Sequence, residues 1–169
     1  MTKRSIKKKN IVTTLKVGVI ALYRGRILLI REQNNSTHRY AWNIIKGSFE
    51  PSKDDSILDT AIREAEEEAN AKIKLKYFLA NYYLLDGRKA LMMFTFVADL
   101  LDPRVRISPR KVQAQYGCDK VIKAKLFTKQ QLLRLKPEDF IGMRGYLATR
   151  DYLKGIKFPL SMIVILPPK

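Results

Sequence analysis

Residues 47–71 read GSFEPSKDDSILDTAIREAEEEANA and carry the densest chemical pattern in the chain. Glu64, Glu67 and Glu68 are spaced i, i+3, i+4, so on a helix they share one face. Like charges at this spacing destabilise an isolated helix, by roughly a few tenths of a kcal/mol per pair. A bound divalent cation reverses the sign of that interaction. Hard oxygen ligands of this kind suit Mg²⁺ or Mn²⁺.

A solvated acidic surface is the alternative interpretation, because runs of charge are usually exposed. The helical pattern argues against it. Ile57 and Ala61 belong to an apolar stripe, and the same row of the helix continues into Glu64 one turn later. The stripe therefore places the glutamates at the edge of the protein body, not on its outer side. Ser56, followed three residues later by an aspartate, predicts a capping box that opens the helix.

The segment resembles the Nudix box, the signature of the Nudix hydrolase family: Gly, five residues, Glu, seven residues, then Arg-Glu-aliphatic-any-Glu-Glu-any-Gly-aliphatic. Gly47 opens it, and residues 63–68, REAEEE, match its centre in register. Asp55 stands eight residues before Arg63, where the family has Glu, and the loop from Gly47 is two residues longer than in the family. Asn70 replaces the closing glycine, and Asn is the next best residue for a left-handed turn.

The resemblance implies an enzyme, a pyrophosphohydrolase that depends on Mg²⁺, with Mn²⁺ as the alternative. Such an enzyme uses metal-activated water to cleave a phosphoanhydride bond in a nucleoside diphosphate-linked substrate. In this interpretation Glu64, Glu67 and Glu68 bind the metal. Glu67 is the first candidate for the general base. Arg63, on a different face of the helix, orients the glutamates or the loop before them.

Three residues just before the box loop are candidate substrate contacts. Lys46 could bind phosphate, and a solvated lysine is an equally good interpretation. Gly47 allows the backbone to approach a phosphate closely. Trp42 could stack on a base, and a core position beside a strand is its alternative role.

The net charge of +17 is unevenly distributed. Residues 1–46 carry +10, residues 47–102 carry −4, and residues 103–169 carry +11, which sum to +17. Such a field attracts polyanions, namely nucleotides, other polyphosphates or RNA. Residues 1–10 predict a basic, flexible arm, and residues 102–115 form a basic loop. Solvated surface is the alternative role for both.

Length predicts one domain, over residues 11–169, which the resemblance implies is Nudix-like. Cys118 is the only cysteine, which excludes an internal disulfide. Its presence as a single thiol favours a reducing, cytoplasmic compartment. No segment reaches the roughly 20 apolar residues of a membrane span, and no secretion signal opens the chain.

The order of elements fits an α/β fold, the Nudix-like α/β/α sandwich with a mixed central β-sheet that the resemblance implies. Turn residues at 24–25 and 86–89 predict two hairpins, and residues 40–45 predict a third short strand between them. Thr128 caps a short helix after the strand at 120–127. Pro137 opens another helix, whose inward residues are predicted to be Phe140, Met143, Leu147 and Leu153. The apolar tail after Lys157 predicts an edge strand or a docking segment.

Three functions remain open: a pyrophosphohydrolase of small nucleotides, an RNA 5′-end (triphosphate or cap) pyrophosphohydrolase, and a catalytically silent nucleotide- or RNA-binding module. Lys120 stands where the family's strand commonly begins with Glu, and Asp119 beside it is the candidate to replace that carboxylate. The intact glutamates argue against the silent module, whereas Asp55, the longer loop and Lys120 keep it open. The sequence also leaves open whether the protein is a homodimer.

Overall fold

The computed structural model of the protein describes residues 12–34, 37–105 and 121–166. In these residues one mixed sheet contains seven strands: β1 (Val12–Tyr23), β2 (Arg26–Gln33), β3 (Tyr40–Asn43), β4 (Ile45–Ser48), β5 (Ile73–Asp86), β6 (Lys89–Leu100) and β7 (Val121–Phe127). The helices are α1 (Ile57–Ala69), α2 (Lys129–Arg134) and α3 (Met143–Leu153), with single 3₁₀ turns at Pro137–Asp139 and Leu160–Met162. None of these helices is long and apolar enough to cross a bilayer.

Strand β1 is the centre of the sheet. One of its edges pairs in parallel with β6 over residues 12–22. Its other edge is shared, because residues 16–19 pair with β4 and residues 21–23 pair with β2. One edge of β2 pairs first with β1 and then with β3, and its other edge pairs with β7. On the far side of the sheet, β5 pairs with the outer edge of β6. Strands β2 and β4 therefore separate from each other at the point where β3 leads into β4.

Helices cover both faces of the sheet, which confirms the predicted α/β/α sandwich. The alternation along β1 separates the two cores, since successive side chains of a strand point to opposite faces. One core lies under α1 and includes Val17, Val19, Ala61, Ala65 and Phe96. The other lies under α2 and α3 and includes Ile20, Leu29, Val97, Leu132 and Ala148.

Ser56 caps α1 and Asn70 ends it, as predicted, but the predicted capping box does not form, because the Asp59 carboxylate accepts from the Ser56 hydroxyl at 2.7 Å and not from the Ser56 backbone N–H. The Ser56 side chain accepts hydrogen bonds from the backbone N–H groups of Leu58 and Asp59, at 3.2 and 3.3 Å. Asn70 ends the helix in the left-handed region at φ 47°, and its N–H bonds back to the last turn. The helix therefore has fixed ends, which sets the rotation of its glutamate face.

The third predicted strand, residues 40–45, is two strands. Residues 40–43 pair with β2, whereas residues 45–48 pair with β1. Asn43 makes the break, because its side-chain carbonyl accepts a hydrogen bond from the N–H of Ile44 at 3.0 Å. Short polar side chains compete in this way with the hydrogen bonds of a sheet.

The helix predicted to open at Pro137 begins at Met143, after a separate 3₁₀ turn, and two of its four predicted inward residues are exposed. Met143 and Leu147 are 53% and 40% exposed, although Phe140 is buried at 6% and Leu153 packs against the core. Small residues face the sheet instead, since Gly145 and Ala148 are buried. The helix therefore packs close to the sheet through small residues, which are too weakly hydrophobic to mark this side as buried in the sequence.

The tail after Lys157 forms no edge strand within the described residues. Phe158 exchanges two backbone hydrogen bonds with Phe78 of β5, at 2.9 and 2.8 Å, and a single 3₁₀ turn follows. Docking against β5 is the predicted alternative that fits. Predictions for residues 1–10, for the basic loop beyond residue 105, and for Cys118, Asp119 and Lys120 lie outside the described residues.

Thr95 gives a prediction about stability. Its hydroxyl is fully buried and is the single buried side-chain polar atom without a hydrogen bond in the described part of the chain. An unpaired buried hydroxyl costs about 1–3 kcal/mol, and valine has the same shape without that cost. We expect Thr95→Val to raise the free energy of unfolding by about 1 kcal/mol, measured by urea denaturation.

Thr60 is the matched control, because it is equally buried but donates to Asp54 at 3.0 Å. Thr60→Val should lower the free energy of unfolding. Destabilisation by both substitutions would contradict this account of Thr95.

Candidate active site

The three glutamates of α1 lie at the edge of strand β4, as the apolar stripe predicted. Glu64, Glu67 and Glu68 are 6%, 8% and 3% exposed, whereas Glu66 on the same helix is exposed. Buried carboxylates must be paired or hydrogen-bonded, since burying an isolated charge is costly. Two cationic side chains of the described residues, Arg63 and Lys46, contact them.

Arg63 ties two of the glutamates to the loop before the helix. Its Nη1 donates to Glu64 at 2.8 Å and to Glu67 at 3.0 Å. Its Nε and Nη2 form a two-pronged bond to Asp54, both at 2.8 Å, and Nη2 also reaches the carbonyl of Ser48 at 2.9 Å. This is the fork geometry in which arginine binds carboxylates most strongly. Arg63 therefore orients the glutamate face from behind.

Asp54, not Asp55, holds Arg63. Asp54 is buried and also accepts from the Glu50 N–H and the Thr60 hydroxyl, both at 3.0 Å. The hydrogen bonds from Arg63 lower the pKa of this carboxyl from 3.8 to about 2. Asp55 is exposed, although it stands in the register of the family's glutamate. The carboxylate that binds Arg63 therefore lies one position before the one that aligns with the family's glutamate.

Lys46 joins Glu68 to a further carboxylate, Glu32. The backbone N–H of Lys46 donates to Glu68 at 2.9 Å, and its ammonium group lies 2.8 Å from Glu32 and 3.9 Å from Glu68. Glu32 is fully buried and also accepts from the Asn43 amide at 2.7 Å. Lys46 therefore holds the position of Glu68, besides its predicted role as a phosphate contact.

Glu32 was missed by the sequence analysis. The available signal was its isolation, because it is the one acidic residue among residues 1–46. An acidic residue that follows a run of four buried positions in a strand is expected to have a partner in the fold. The partner, Lys46, is 14 residues away in the sequence. Only the three-dimensional structure shows that Glu32 on β2 contacts Lys46 on β4.

Gly47 lies against the Glu64 carboxylate. A Cβ atom added to Gly47 would overlap the carboxylate carbon and both of its oxygens. The close approach predicted for this glycine is therefore made by a protein carboxylate in the described structure. Phosphate contact at Gly47 stays a prediction.

We expect Gly47→Ala to lower turnover by at least about tenfold, because the added methyl group displaces Glu64 from its place on Arg63 and misplacement by about 1 Å can cost a hundredfold in rate. The melting temperature should fall little, since the Glu64 side chain can move towards solvent. Steady-state kinetics and thermal denaturation of the same preparation test this. Unchanged turnover would contradict the assigned role of Glu64.

Trp42 lies on β3 and is half-buried. Its ring meets Phe127 edge to face at 4.8 Å, and the Arg31 guanidinium stands 5.9 Å from its centroid. These contacts give Trp42 a packing role at the rim of the core under α2 and α3. Base stacking on Trp42 stays a prediction.

The charges in this cluster do not balance. Five buried carboxylates, those of Glu32, Asp54, Glu64, Glu67 and Glu68, face two cations, Arg63 and Lys46. Burial raises the pKa of Glu64 to about 7, against the opposing effect of Arg63. Burial also raises the pKa of Glu68. Arg63 and Lys46 therefore do not fully offset the effect of burial, which favours the protonated form of both carboxyl groups.

A divalent cation fits this donor set, since hard carboxylate oxygens are the ligands that Mg²⁺ and Mn²⁺ prefer. No three acidic, histidine or cysteine side chains of the described residues are arranged around one metal position. One oxygen of Glu64 and one of Glu67 accept from Arg63 instead, and one oxygen of Glu68 accepts from the Lys46 N–H. A cation would therefore replace contacts to Arg63, which keeps Asp54 and the Ser48 carbonyl.

The NUDIX domain sequence model matches residues 12–148, which span the whole sheet, α1 and the glutamate cluster. The chain belongs to the NUDIX hydrolase family. The family confirms the resemblance found in the sequence, and it makes the protein an enzyme of the pyrophosphohydrolase type. No curated protein sequence matches the chain.

Solved structures support the NUDIX fold. A NUDIX hydrolase from Nitrosomonas europaea superposes with a TM-score of 0.72 at 19% identity, covering 90% of this chain and 97% of the other. A MutT NUDIX hydrolase from Burkholderia pseudomallei gives 0.62 at 16% identity, covering 83% and 98%. A structure described as an ADP compounds hydrolase gives 0.62 at 24% identity, covering 84% and 74%. At these identities the likeness shows the fold alone.

Proposed function

We propose that this NUDIX hydrolase is a Mg²⁺-dependent pyrophosphohydrolase of nucleoside diphosphate-linked substrates. One observation carries the proposal: Glu64, Glu67 and Glu68 are buried side by side with more negative charge than Arg63 and Lys46 neutralise. A structural cluster would balance its charges, because uncompensated buried charge destabilises the fold. An excess of carboxylate at the edge of the sheet is typical of a site that binds a cation.

In the proposed site Glu64, Glu67 and Glu68 hold the cation. When bound, Mg²⁺ neutralises charge on the phosphoanhydride and makes a water molecule more acidic. Arg63 orients Glu64 and Glu67, and Lys46 orients Glu68. Mn²⁺ has the same preference for oxygen ligands and is the alternative metal.

Glu67 is the proposed general base. One of its oxygens accepts a single hydrogen bond from Arg63, at 3.0 Å, and the other has no hydrogen-bond partner among the described residues. Glu64 also accepts a single hydrogen bond from Arg63, at 2.8 Å, so the choice of Glu67 rests on its longer contact. A carboxylate in this position can take the proton of an attacking water.

A substrate panel tests the proposal. Product release is measured with Mg²⁺ and with a chelator for nucleoside triphosphates, nucleotide sugars, NAD, ADP-ribose, dinucleotide polyphosphates, and triphosphorylated or capped RNA. Mg²⁺-dependent cleavage of one small nucleotide class is the expected result. Cleavage of RNA alone would favour the 5′-end enzyme, and no turnover by the folded protein would favour the silent binding module.

RNA remains the second candidate because of the charge of the chain. Residues 103–169 alone hold +11, and single-stranded RNA binding weakens steeply with salt when lysine and arginine contact phosphates. The residues first assigned to this role, 1–10 and most of 104–111, lie outside the described part. Removing residues 1–10, and separately raising the salt concentration, should each lower RNA cleavage far more than small-nucleotide cleavage.

We also propose a domain organisation, a cellular location and an oligomeric state. A single domain over residues 11–169, a cytoplasmic location and a homodimer are consistent with the composition. Sedimentation analysis of the full chain tests the oligomeric state.

A further inference from the structure

A small cavity lies between the glutamate cluster and the start of α3. It has a volume of about 70 Å³ and is lined by Asn43, Lys46, Met93, Ile141, Gly142, Arg144 and Gly145. A water molecule's share of liquid volume is about 30 Å³, so the cavity has room for one small polar group. Lys46 links it to the catalytic cluster, because the Lys46 N–H donates to Glu68.

Two of the polar residues that line this cavity are already engaged. Lys46 lies on Glu32 at 2.8 Å, and Asn43 donates to Glu32 at 2.7 Å while accepting from the Ile44 N–H. Gly145 permits this arrangement, because a Cβ there would overlap the Asn43 carbonyl oxygen. The polar groups of Lys46 and Asn43 are therefore held in place by the protein.

Arg144 is different. Its guanidinium is half-buried, and within the described residues it forms no hydrogen bond, no ion pair and no ring contact. Every other arginine of similar burial in the described part has a partner: Arg63 binds carboxylates, and Arg150 donates to the carbonyls that end α2. Partial desolvation lowers the pKa of Arg144, which means that the cation loses hydration without gaining an anion. Arg144 lines the cavity and has no anionic partner within the described residues, so its cation is available for an anionic ligand.

We propose that Arg144, at the cavity shared with Asn43 and Lys46, binds a phosphate group of the substrate. This inference rests on the proposed function and adds a residue outside the Nudix box to the site. A guanidinium binds phosphate through a planar fork of N–H donors, so it fixes the orientation of the group as well as its charge. Arg144 would hold a phosphate of the nucleotide while the glutamates act on the neighbouring anhydride bond.

Binding of ADP and of inorganic pyrophosphate in the presence of a chelator tests the proposal. Calorimetry on the full chain requires neither metal nor turnover, so it is independent of catalysis. A lost hydrogen bond to a charged group weakens binding by about tenfold to a hundredfold. We expect Arg144→Gln to lose that much affinity for at least one probe, and Arg144→Lys to lose less. Both variants should melt like the wild type, because Arg144 has no partner to lose.

Arg134 supplies the matched control. It is exposed near the end of α2, so Arg134→Gln removes the same charge from outside the cavity. Its affinity should equal that of the wild type. Equal weakening by Arg134→Gln, affinity within twofold of wild type for Arg144→Gln, or no binding of either probe to the wild type at millimolar concentration would each overturn the proposal.

Kinetics separate this proposal from the proposed function. With the best panel substrate, Arg144→Gln should raise KM more than it lowers kcat, which is the pattern of a lost binding contact. If no substrate is cleaved but ADP binding depends on Arg144, the hydrolase assignment fails and the phosphate subsite stands. If cleavage depends on Glu68 but ADP binds equally well to Arg144→Gln, the proposed phosphate subsite is wrong and the hydrolase assignment is kept.

Discussion

Glu68→Gln should lower turnover by about a thousandfold or more while leaving the protein at least as stable as the wild type. A metal ion that neutralises charge in the transition state supplies several kcal/mol, and each 1.36 kcal/mol is a factor of ten in rate. Glutamine has nearly the shape of glutamate, and its carbonyl can still accept the Lys46 N–H. The substitution therefore removes the charge and little else.

The expected gain in stability follows from the sign of the pKa shift. Burial raises the pKa of Glu68 above 4.5, so the folded protein binds the proton more tightly than the unfolded chain does. Free energy of unfolding in the chelated protein is then lost as pH rises from about 4.5 through the higher folded-state pKa. Glu68→Gln should remove this loss, and its stability should vary less with pH over that range.

Glu66→Gln is the control for both measurements, because Glu66 lies on the same helix and is exposed. It should turn over substrate at the wild-type rate. Near-normal turnover in Glu68→Gln, measured with saturating Mg²⁺, would contradict the assignment of the site. A large fall in its melting temperature would contradict the electrostatic account of Glu68.

Asp54→Asn should cost about 3 kcal/mol of the free energy of unfolding, because removing one partner of a buried ion pair leaves the other charge uncompensated. The lowering of the Asp54 pKa from 3.8 to about 2 corresponds to about 2 kcal/mol at 1.36 kcal/mol per unit. Arg63 then loses its two-pronged contact, and the orientation of Glu64 and Glu67 loosens with it. Turnover should fall as well, by at least about tenfold.

The stabilisation by Asp54 also depends on pH. A carboxyl with a lowered folded-state pKa contributes its full stabilisation above the unfolded value of 3.8 and loses it as pH falls towards about 2. The difference in stability between the wild type and Asp54→Asn should therefore shrink as pH falls from about 4 to about 2 in urea denaturation. A constant difference would mean that hydrogen bonding, and not charge, holds Arg63.

Asp55→Asn distinguishes the structural assignment from the one in the sequence register. Asp55 is exposed, and substitutions at such positions usually change stability by less than about 0.5 kcal/mol. If Asp55→Asn destabilised the protein more than Asp54→Asn, Asp55 would be the carboxylate that binds Arg63, as its position in the family pattern implies.

Local patterns predicted the fold well because they depend on neighbouring residues. The left-handed turn residues Arg24 and Gly25, the Ser56 cap and the Asn70 terminator are set within a few residues of chain, and each was confirmed. The packing of α3 was not predictable in this way. Its buried face consists of glycine, alanine and threonine, which have too little hydrophobic contrast to mark a core side.

In the candidate site, too, local features were predicted from the sequence and long-range contacts were not. The glutamate face follows from helical spacing alone, so the sequence places Glu64, Glu67 and Glu68 together. The roles of Glu32 and Asp54 depend on tertiary structure. Glu32 contacts Lys46 across the opening between β2 and β4, and the position of Asp54 is set by the path of the lengthened loop. The partners of buried charges are set by such long-range contacts, which a single sequence does not reveal.

Metal dependence is the most direct test of the central claim that the glutamate cluster drives hydrolysis. Turnover of the best panel substrate is followed while Mg²⁺ is removed by a chelator and then added back in steps. We expect loss of activity with the chelator, recovery that saturates with Mg²⁺, and no recovery in Glu68→Gln. Turnover that persists in the chelator, or recovers equally in Glu68→Gln, would contradict it.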